Sequence, residues 1–512
     1  MQVEIGKQVK TEKLEKVEKL NLSKLKKIHF VGIGGSAISA VARLLFKNNI
    51  KITGSDASKN AMTESLSELG IKIFDSQVKE NLRYEDELPD LVLISPALIF
   101  LDPNNEEILY AKEKNIRVLT WQEFLGDYLD ALDKFGLITC GSEGKGTTCS
   151  FLKWILKGTK YDPLTILGAN LKDINEIGKK SNVYEGSSNT YILEGDEFNK
   201  NFHNYHPHIV MMVNFQYEHP EFYKNFDEYK KSFYEFFCGM KGDDKTLIFR
   251  ATENMVKLVK EYDLEKTHKI IWYKNSDDDV ENNVENNIEV NCDYIISNVS
   301  KNGEKGIKFM LETPKGSCMF NINAFPYYLA NNSTAAIICA MELGLSLEEI
   351  WTNIQRFNGI ERRFDVYKFG KNGTIITDYG HSPSSIRQVV KEAREFFPNK
   401  KLHLVFQPHL FSRTYNFFDE LISELSKADK VSLVDVYPAR ERKEDWEDKI
   451  HSKMLVDKLN ENNIDAEYIG EANKVHEALL GKVNDGETTL FMGAGDMDKS
   501  YKKLFAKLEA EN

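Results

Sequence analysis

A glycine-rich octapeptide, Gly141-Ser142-Glu143-Gly144-Lys145-Gly146-Thr147-Thr148, stands between an apolar run, FGLITC, and a helix-forming run, CSFLKWILKG. A strand that turns through glycines into a helix is the setting of a phosphate-binding loop. Backbone N–H groups cradle the phosphates there, and a lysine reaches the β and γ oxygens. Lys145 supplies that cation, and Thr147 is the nearest hydroxyl for Mg²⁺. The loop departs from the common GxxxxGK[ST] form, because Thr139 stands where the first glycine would be and Gly146 follows the lysine. Glu194, followed by Asp196 and Glu197, ends the strand-like YILEGDE. Carboxylates at a strand end beside such a loop suit Mg²⁺, a hard cation that prefers oxygen donors. Asn214 and His219 lie at the end of the next strand-like run, HIVMMVNF, and should converge on the same sheet edge.

A second glycine turn, Gly32-Ile33-Gly34-Gly35-Ser36-Ala37, joins the apolar KIHFV to the helix-like SAISAVARLLFKNN. It has the elements of a nucleotide-binding βαβ unit, with Asp56 where a ribose-binding acid would stand. The turn fits a dinucleotide cofactor and a nucleotide-sugar equally well.

Three blocks of alternating strand and helix position these turns. Residues 1–27 form a charged extension that reads as a tail or a short surface helix. Residues 28–134 make one small α/β domain. Residues 135–358 make a second, which contains a polar, low-complexity insertion at 275–287. Residues 359–512 repeat the α/β rhythm. A length of 512 residues agrees with about three domains. The net charge of −12 argues against a nucleic-acid coat. No apolar run is long enough to span a membrane, and the charged N-terminus lacks the apolar centre of a secretory signal. The six cysteines form no CxxC pair, so neither a zinc site nor a disulfide framework is indicated. A cytoplasmic protein is expected.

The motifs, taken in order, resemble those of the Mur ligase family over nearly all of residues 27–512. HFVGIGGSAIS with TGSD resembles the uridine-nucleotide domain, GSEGKGTT the ATP loop, ILEGDE the EADE segment and NFQYEH the N-x-x-x-D-H segment. FNGIERRF, DYGHSPSS, FQPHLFSRT, DVYPARE and FMGAGD match motifs of the last two domains in sequence. The resemblance implies an α/β protein of three tandem domains: a Rossmann-like UDP-binding domain, a central P-loop ATPase domain and a C-terminal Rossmann-like domain. It also implies a cytoplasmic, ATP- and Mg²⁺-dependent amide ligase, monomeric or homodimeric. ATP would phosphorylate the carboxylate of a UDP-linked muramyl precursor, and an amino acid, by default L-alanine, would displace the phosphate. The alternatives are a pseudomurein-type or peptide-recycling ligase, and a non-catalytic UDP-sugar-binding paralogue.

Carried over by position, Lys145, His219, His381 and Arg413 would be catalytic. Gly141, Gly144, Lys145, Gly146, Thr147, Thr148, Asn332, Arg363 and Asp378 would hold ATP, with Asn332 facing adenine. Gly32, Gly34, Gly35, Ser36 and Asp56 would hold the UDP-sugar, and Thr147, Glu194 and His219 the metal. The chain departs from the family pattern at several of these places. Glu143 stands where the ATP loop usually has histidine, and Ser382 where GHHP has its second histidine. Glu218 replaces the usual Asp before His219. Tyr328-Leu329 replaces a His-Asn pair, and Leu410 an arginine.

Overall fold

The computed structural model describes residues 22–168, 182–220, 222–277, 290–303, 306–439, 441–446, 448–483 and 486–510. The expected tail, up to residue 21, and most of the 275–287 insertion lie outside these residues.

The first sheet is built from β1 (Lys27–Val31), β2 (Lys51–Ser55), β3 (Lys72–Phe74), β4 (Leu91–Ile94) and β5 (Arg117–Thr120). The order is β3-β2-β1-β4-β5, all parallel. β1 lies at its centre with every residue buried, as a strand covered on both faces must be.

The second sheet has ten strands: β6 (Phe135–Cys140), β7 (Leu164–Ile166), β8 (Val183–Tyr184), β9 (Thr190–Glu194), β10 (Ile209–Met212), β11 (Thr246–Arg250), β12 (Lys269–Asn275), β13 (Tyr294–Lys301), β14 (Ile307–Thr313) and β15 (Gly316–Ile322). They run β15-β14-β13-β12-β11-β10-β6-β9-β7-β8. In that order the strands from β13 to β7 are parallel, β8 pairs antiparallel with β7 at one edge, and β14 and β15 extend the other as an antiparallel meander. β6, which feeds the phosphate loop, therefore sits between β10 and β9, the strands that carry the acidic and histidine segments past it. The helix Lys145–Leu156 packs beside Leu329–Glu342, whose residues are buried from Leu329 to Met341.

The third sheet comprises β16 (Asp365–Phe369), β17 (Gly373–Asp378), β18 (Leu402–Phe406), β19 (Lys430–Val434), β20 (Asp465–Gly470) and β21 (Thr488–Met492). Its order is β16-β17-β21-β18-β19-β20, parallel except for the edge strand β16. The carboxyl ends of β17, β21 and β18 deliver residues 379–382, 493–496 and 407–413 to one rim.

One apolar core runs without a break from the second domain to the third, through Phe151, Phe357, Phe364, Phe396 and Leu490. A second links the first domain to the opposite face of the second sheet, through Phe30, Phe124, Tyr191 and Tyr205. No helix among the described residues is long and apolar enough to cross a membrane.

Candidate active site

The phosphate loop is possible because two of its glycines occupy the left-handed region. Gly141 has φ +108° and Gly144 φ +84°. A Cβ on Gly141 would lie 2.3 Å from the carbonyl oxygen of Asn214, so the loop and the end of β10 close on each other only with glycine there. Ser142 ties the same junction: its N–H donates to Asn214 O (3.1 Å), and its Oγ accepts from Gln216 N (3.1 Å).

Lys145 Nζ donates to Gly141 O (2.6 Å) and reaches both carboxylate oxygens of Glu197 (3.0 and 3.1 Å). Burial works against both charges. It would lower the lysine, but Glu197 and Glu218 hold it protonated. It would raise Glu197, but Lys145 and His219 outweigh that and keep the carboxylate ionised. His219 Nε2 lies 3.5 Å from Glu197 Oε1. Glu197, Glu218 and His219 each bring a ligand atom within 4.8 Å of the others. Burial pushes Glu218 up to about 7. Glu194 is raised by burial as well, and its Oε1 accepts from Gly168 N (2.6 Å). Its carboxylate oxygens lie 3.2 Å from where a Cβ on Gly146 would be, so that glycine admits the acid to the loop.

Across the cleft, His381 Nδ1 donates to Tyr379 O (3.1 Å), and its ring lies 4.8 Å from that of His409. Burial and the neighbouring Arg413 hold His381 well below the usual histidine range, so it is neutral. Arg413 is 6% exposed, and its Nη1 has no hydrogen-bond partner among the described residues. Lys145, Thr147, Glu194, Glu218, His219, His381 and Arg413 all line one cavity of about 290 Å³.

In the first domain, Gly34 N donates to Asp56 Oδ2 (2.7 Å), so the acid pins the glycine turn. Ser36 Oγ donates to Gly168 O (2.7 Å), while the amide of Gly168 serves Glu194. Gly168 thus joins the first glycine turn to Glu194, the acid that lies against the phosphate loop.

Family models match all three blocks of the chain. The Mur ligase family, catalytic domain, matches residues 27–132, the Mur ligase middle domain 138–340, and the Mur ligase, glutamate ligase domain, 362–495. The chain belongs to the Mur ligase family. It is 32% identical over 471 residues to UDP-N-acetylmuramate–L-alanine ligase of Clostridium botulinum (strain Okra), covering 92% of this chain and 95% of that one. The ligase of the same name from Clostridium acetobutylicum is 30% identical over 482 residues, covering 94% and 97%. The fold matches UDP-N-acetylmuramate-alanine ligase of Thermotoga maritima with a TM-score of 0.74 at 24% identity, over 95% of this chain and all of that one. It matches a pseudomurein peptide ligase type C of Methanothermus fervidus with a TM-score of 0.58 at 18% identity, over 94% and 100%. As a Mur ligase, the chain is an ATP-dependent ligase that joins an acid to an amino acid.

The Mur ligase site also has parts that the residue pattern does not announce. Glu218 joins Glu197 and His219, a convergence that needs the fold to bring residues 197 and 218 together. Arg362, not only Arg363, is engaged: its Nη2 donates to Gly493 O (2.6 Å) and Gly495 O (3.2 Å), just past the end of β21. Arg363 lies 5.3 Å from the Tyr379 ring, and its charge acts on Asp378 and Glu194. Asp378 spends both oxygens on backbone amides, of Phe364 (2.9 Å) and Gly380 (2.7 Å). Asn332 Oδ1 lies 3.0 Å from where a Cβ on Gly144 would be, which sets it against the phosphate loop. Tyr328 and Asn331 line both this cavity and an adjoining one of about 580 Å³.

Proposed function

We propose that this Mur ligase activates the carboxylate of UDP-N-acetylmuramate with ATP and joins it to L-alanine. The observation that carries the reading is the meeting of Lys145 from the second domain with Arg413 from the third in one cavity. Arg413 is buried there with a donor unspent, as a site built for an incoming anion would leave it. The names of the Clostridium relatives support the choice of substrates.

A carboxylate is a poor acyl donor because its leaving group would be oxide. Its oxygen attacks the γ-phosphorus, ADP leaves, and an acyl phosphate forms. The amine of L-alanine then attacks the acyl carbon, the C–O bond to phosphate breaks, and the amine proton is lost as the amide forms. Lys145 turns from Glu197 to the phosphates and neutralises charge in the first step. Arg413 holds anionic oxygen beside the reacting centre. His381, kept neutral, is free to accept a hydrogen bond or a proton. The third domain covers the cleft and excludes water that would hydrolyse the acyl phosphate.

The carboxylates and imidazole of Glu194, Glu197, Glu218 and His219, with the Thr147 hydroxyl, are donors that fit a divalent cation. Bound there, Mg²⁺ would neutralise phosphate charge during transfer. In the first domain, Gly32, Gly34, Gly35, Ser36 and Asp56 hold the UDP-sugar. These substrates place the reaction in the cytoplasm.

The test is phosphate release by the purified protein with ATP, Mg²⁺ and UDP-N-acetylmuramate, each amino acid being added in turn. Release that depends on L-alanine, with an amide product by mass spectrometry, is expected. Release that depends on another amino acid corrects the acceptor, and none with any amino acid overturns the reading.

A further inference from the structure

The helix Pro383–Phe396 of the third domain is held by the second domain at both ends. At its start, Ser382 Oγ (3.1 Å) and Ser384 Oγ (2.7 Å) donate to Glu143 Oε1. The other oxygen of Glu143 accepts from Asn214 Nδ2 (3.3 Å) within the second domain. Farther along, the same helix returns a carboxylate. Glu392 accepts from the amides of Tyr327 (2.8 Å) and Tyr328 (3.2 Å), which stand at the start of the helix Leu329–Glu342. At its end, the Phe396 carbonyl accepts from Lys301 Nζ (2.9 Å), and the Phe396 ring packs on Phe325 and Tyr327.

The two carboxylates cross the domain boundary in opposite directions, each reaching the start of the other domain's helix. A helix start presents spare N–H groups and the positive end of the dipole, which favour Glu143 as an anion and let Glu392 accept from two amides. Glu143 is two residues from Lys145, and Ser382 follows His381 directly. One carboxylate therefore joins the phosphate loop to the segment that carries His381. It also explains two departures from the family pattern as one. Histidines at 143 and 382 would be two groups of like charge when protonated. Glu143 and Ser382 are an acceptor and a donor.

We propose that Glu143 is a positioning residue that, with Glu392, latches the third domain closed over the ATP site and so sets His381 and Arg413 for reaction. The activity readout of this proposal rests on the ligase reading. The closure it describes does not. If Glu143 served only to stiffen its own loop through Asn214, the serines across the boundary would be silent.

The experiment compares the full-length protein with Glu143→Ala, Glu143→Gln, the pair Ser382→Ala with Ser384→Ala, the triple variant, and Glu392→Gln. Folding is checked by circular dichroism. Closure is read as the radius of gyration of the ligand-free protein by small-angle scattering, and function as kcat and the KM for ATP. The serine pair and Glu143→Ala should each enlarge the protein and lower kcat by about ten-fold, with the KM for ATP changed little. The triple variant should be no worse than either parent. Glu143→Gln, which keeps an acceptor for the serines, should restore most of kcat. Losses that multiply in the triple variant, serine variants that match the wild type, or unchanged scattering would overturn the latch. If the wild type releases no phosphate, the ligase reading fails while scattering still decides the latch. If Glu143→Ala does not fold, the serine pair and Glu143→Gln decide it.

Discussion

The ammonium of Lys145 lies 3.0 Å from Oε2 of Glu197, a carboxylate with no exposed side-chain surface. The phosphate-loop cation is thus held on an internal anion at the place where phosphates would otherwise hold it. Glu197 keeps Lys145 protonated and aimed into the cavity, and the phosphates of ATP would take over the same charge.

Removing Lys145 should therefore have two effects. Phosphate release should fall by at least about 10²–10³-fold, the usual result of losing one donor to developing charge. The UDP-sugar, whose proposed site lies on the first domain, should still bind in calorimetry. Stability should also fall, by up to about 3–5 kcal/mol for a broken buried pair, because buried Glu197 is left with His219 alone against its charge. Urea unfolding of Lys145→Met against the double variant Lys145→Met, Glu197→Gln checks this. The double variant should recover most of the stability and none of the activity.

Arg413→Ala should leave ATP binding intact and lower kcat by about 10²-fold or more, since Arg413 lines the cavity with Lys145 and keeps a spare donor. Arg413→Lys should recover little of it, because a point charge does not reproduce the planar fork of donors. Nucleotide binding by fluorescence, set beside the rate of phosphate release, separates the two effects.

Gly146→Ala should raise the Mg²⁺ concentration needed for half-maximal rate. The added Cβ would sit 3.2 Å from both carboxylate oxygens of Glu194, so the acid must shift. A Mg²⁺ titration of phosphate release measures it, and an unchanged midpoint would remove Glu194 from the metal site.

Glu392 gives the protein a pH dependence of known sign. Burial pushes its carboxyl up to about 8, far above the unfolded value. The folded state then binds a proton that the unfolded state has lost, and stability falls as pH rises from about 4.5 to about 8. Denaturation between pH 5 and 9 should show the wild type weakening up to about pH 8 and levelling off above it. Glu392→Gln should flatten that slope.

Much of the site is legible in the sequence because its parts are local. The phosphate loop announces itself by glycines between an apolar strand and a helix, and Lys145 and Gly34 follow from their place in such turns. The parts that are not legible join distant residues. Glu143 and Ser382 are 239 positions apart, and only the packing of two domains makes them partners. Whether Arg362 or Arg363 reaches Gly493 depends on a φ of +61° at Arg362, which no residue pattern announces. The meander of β13 to β15 was within reach, since IKFMLET alternates buried and outward-facing residues at strand period.

Carboxylate activation is the claim on which the rest depends, and an isotope label tests it directly. UDP-N-acetylmuramate with ¹⁸O in its carboxylate is turned over with ATP and L-alanine, and the released phosphate is analysed by mass spectrometry. An acyl phosphate intermediate requires one carboxylate oxygen to leave with the phosphate, so the phosphate should carry a single ¹⁸O. Phosphate free of the label, formed alongside the amide product, would contradict the account.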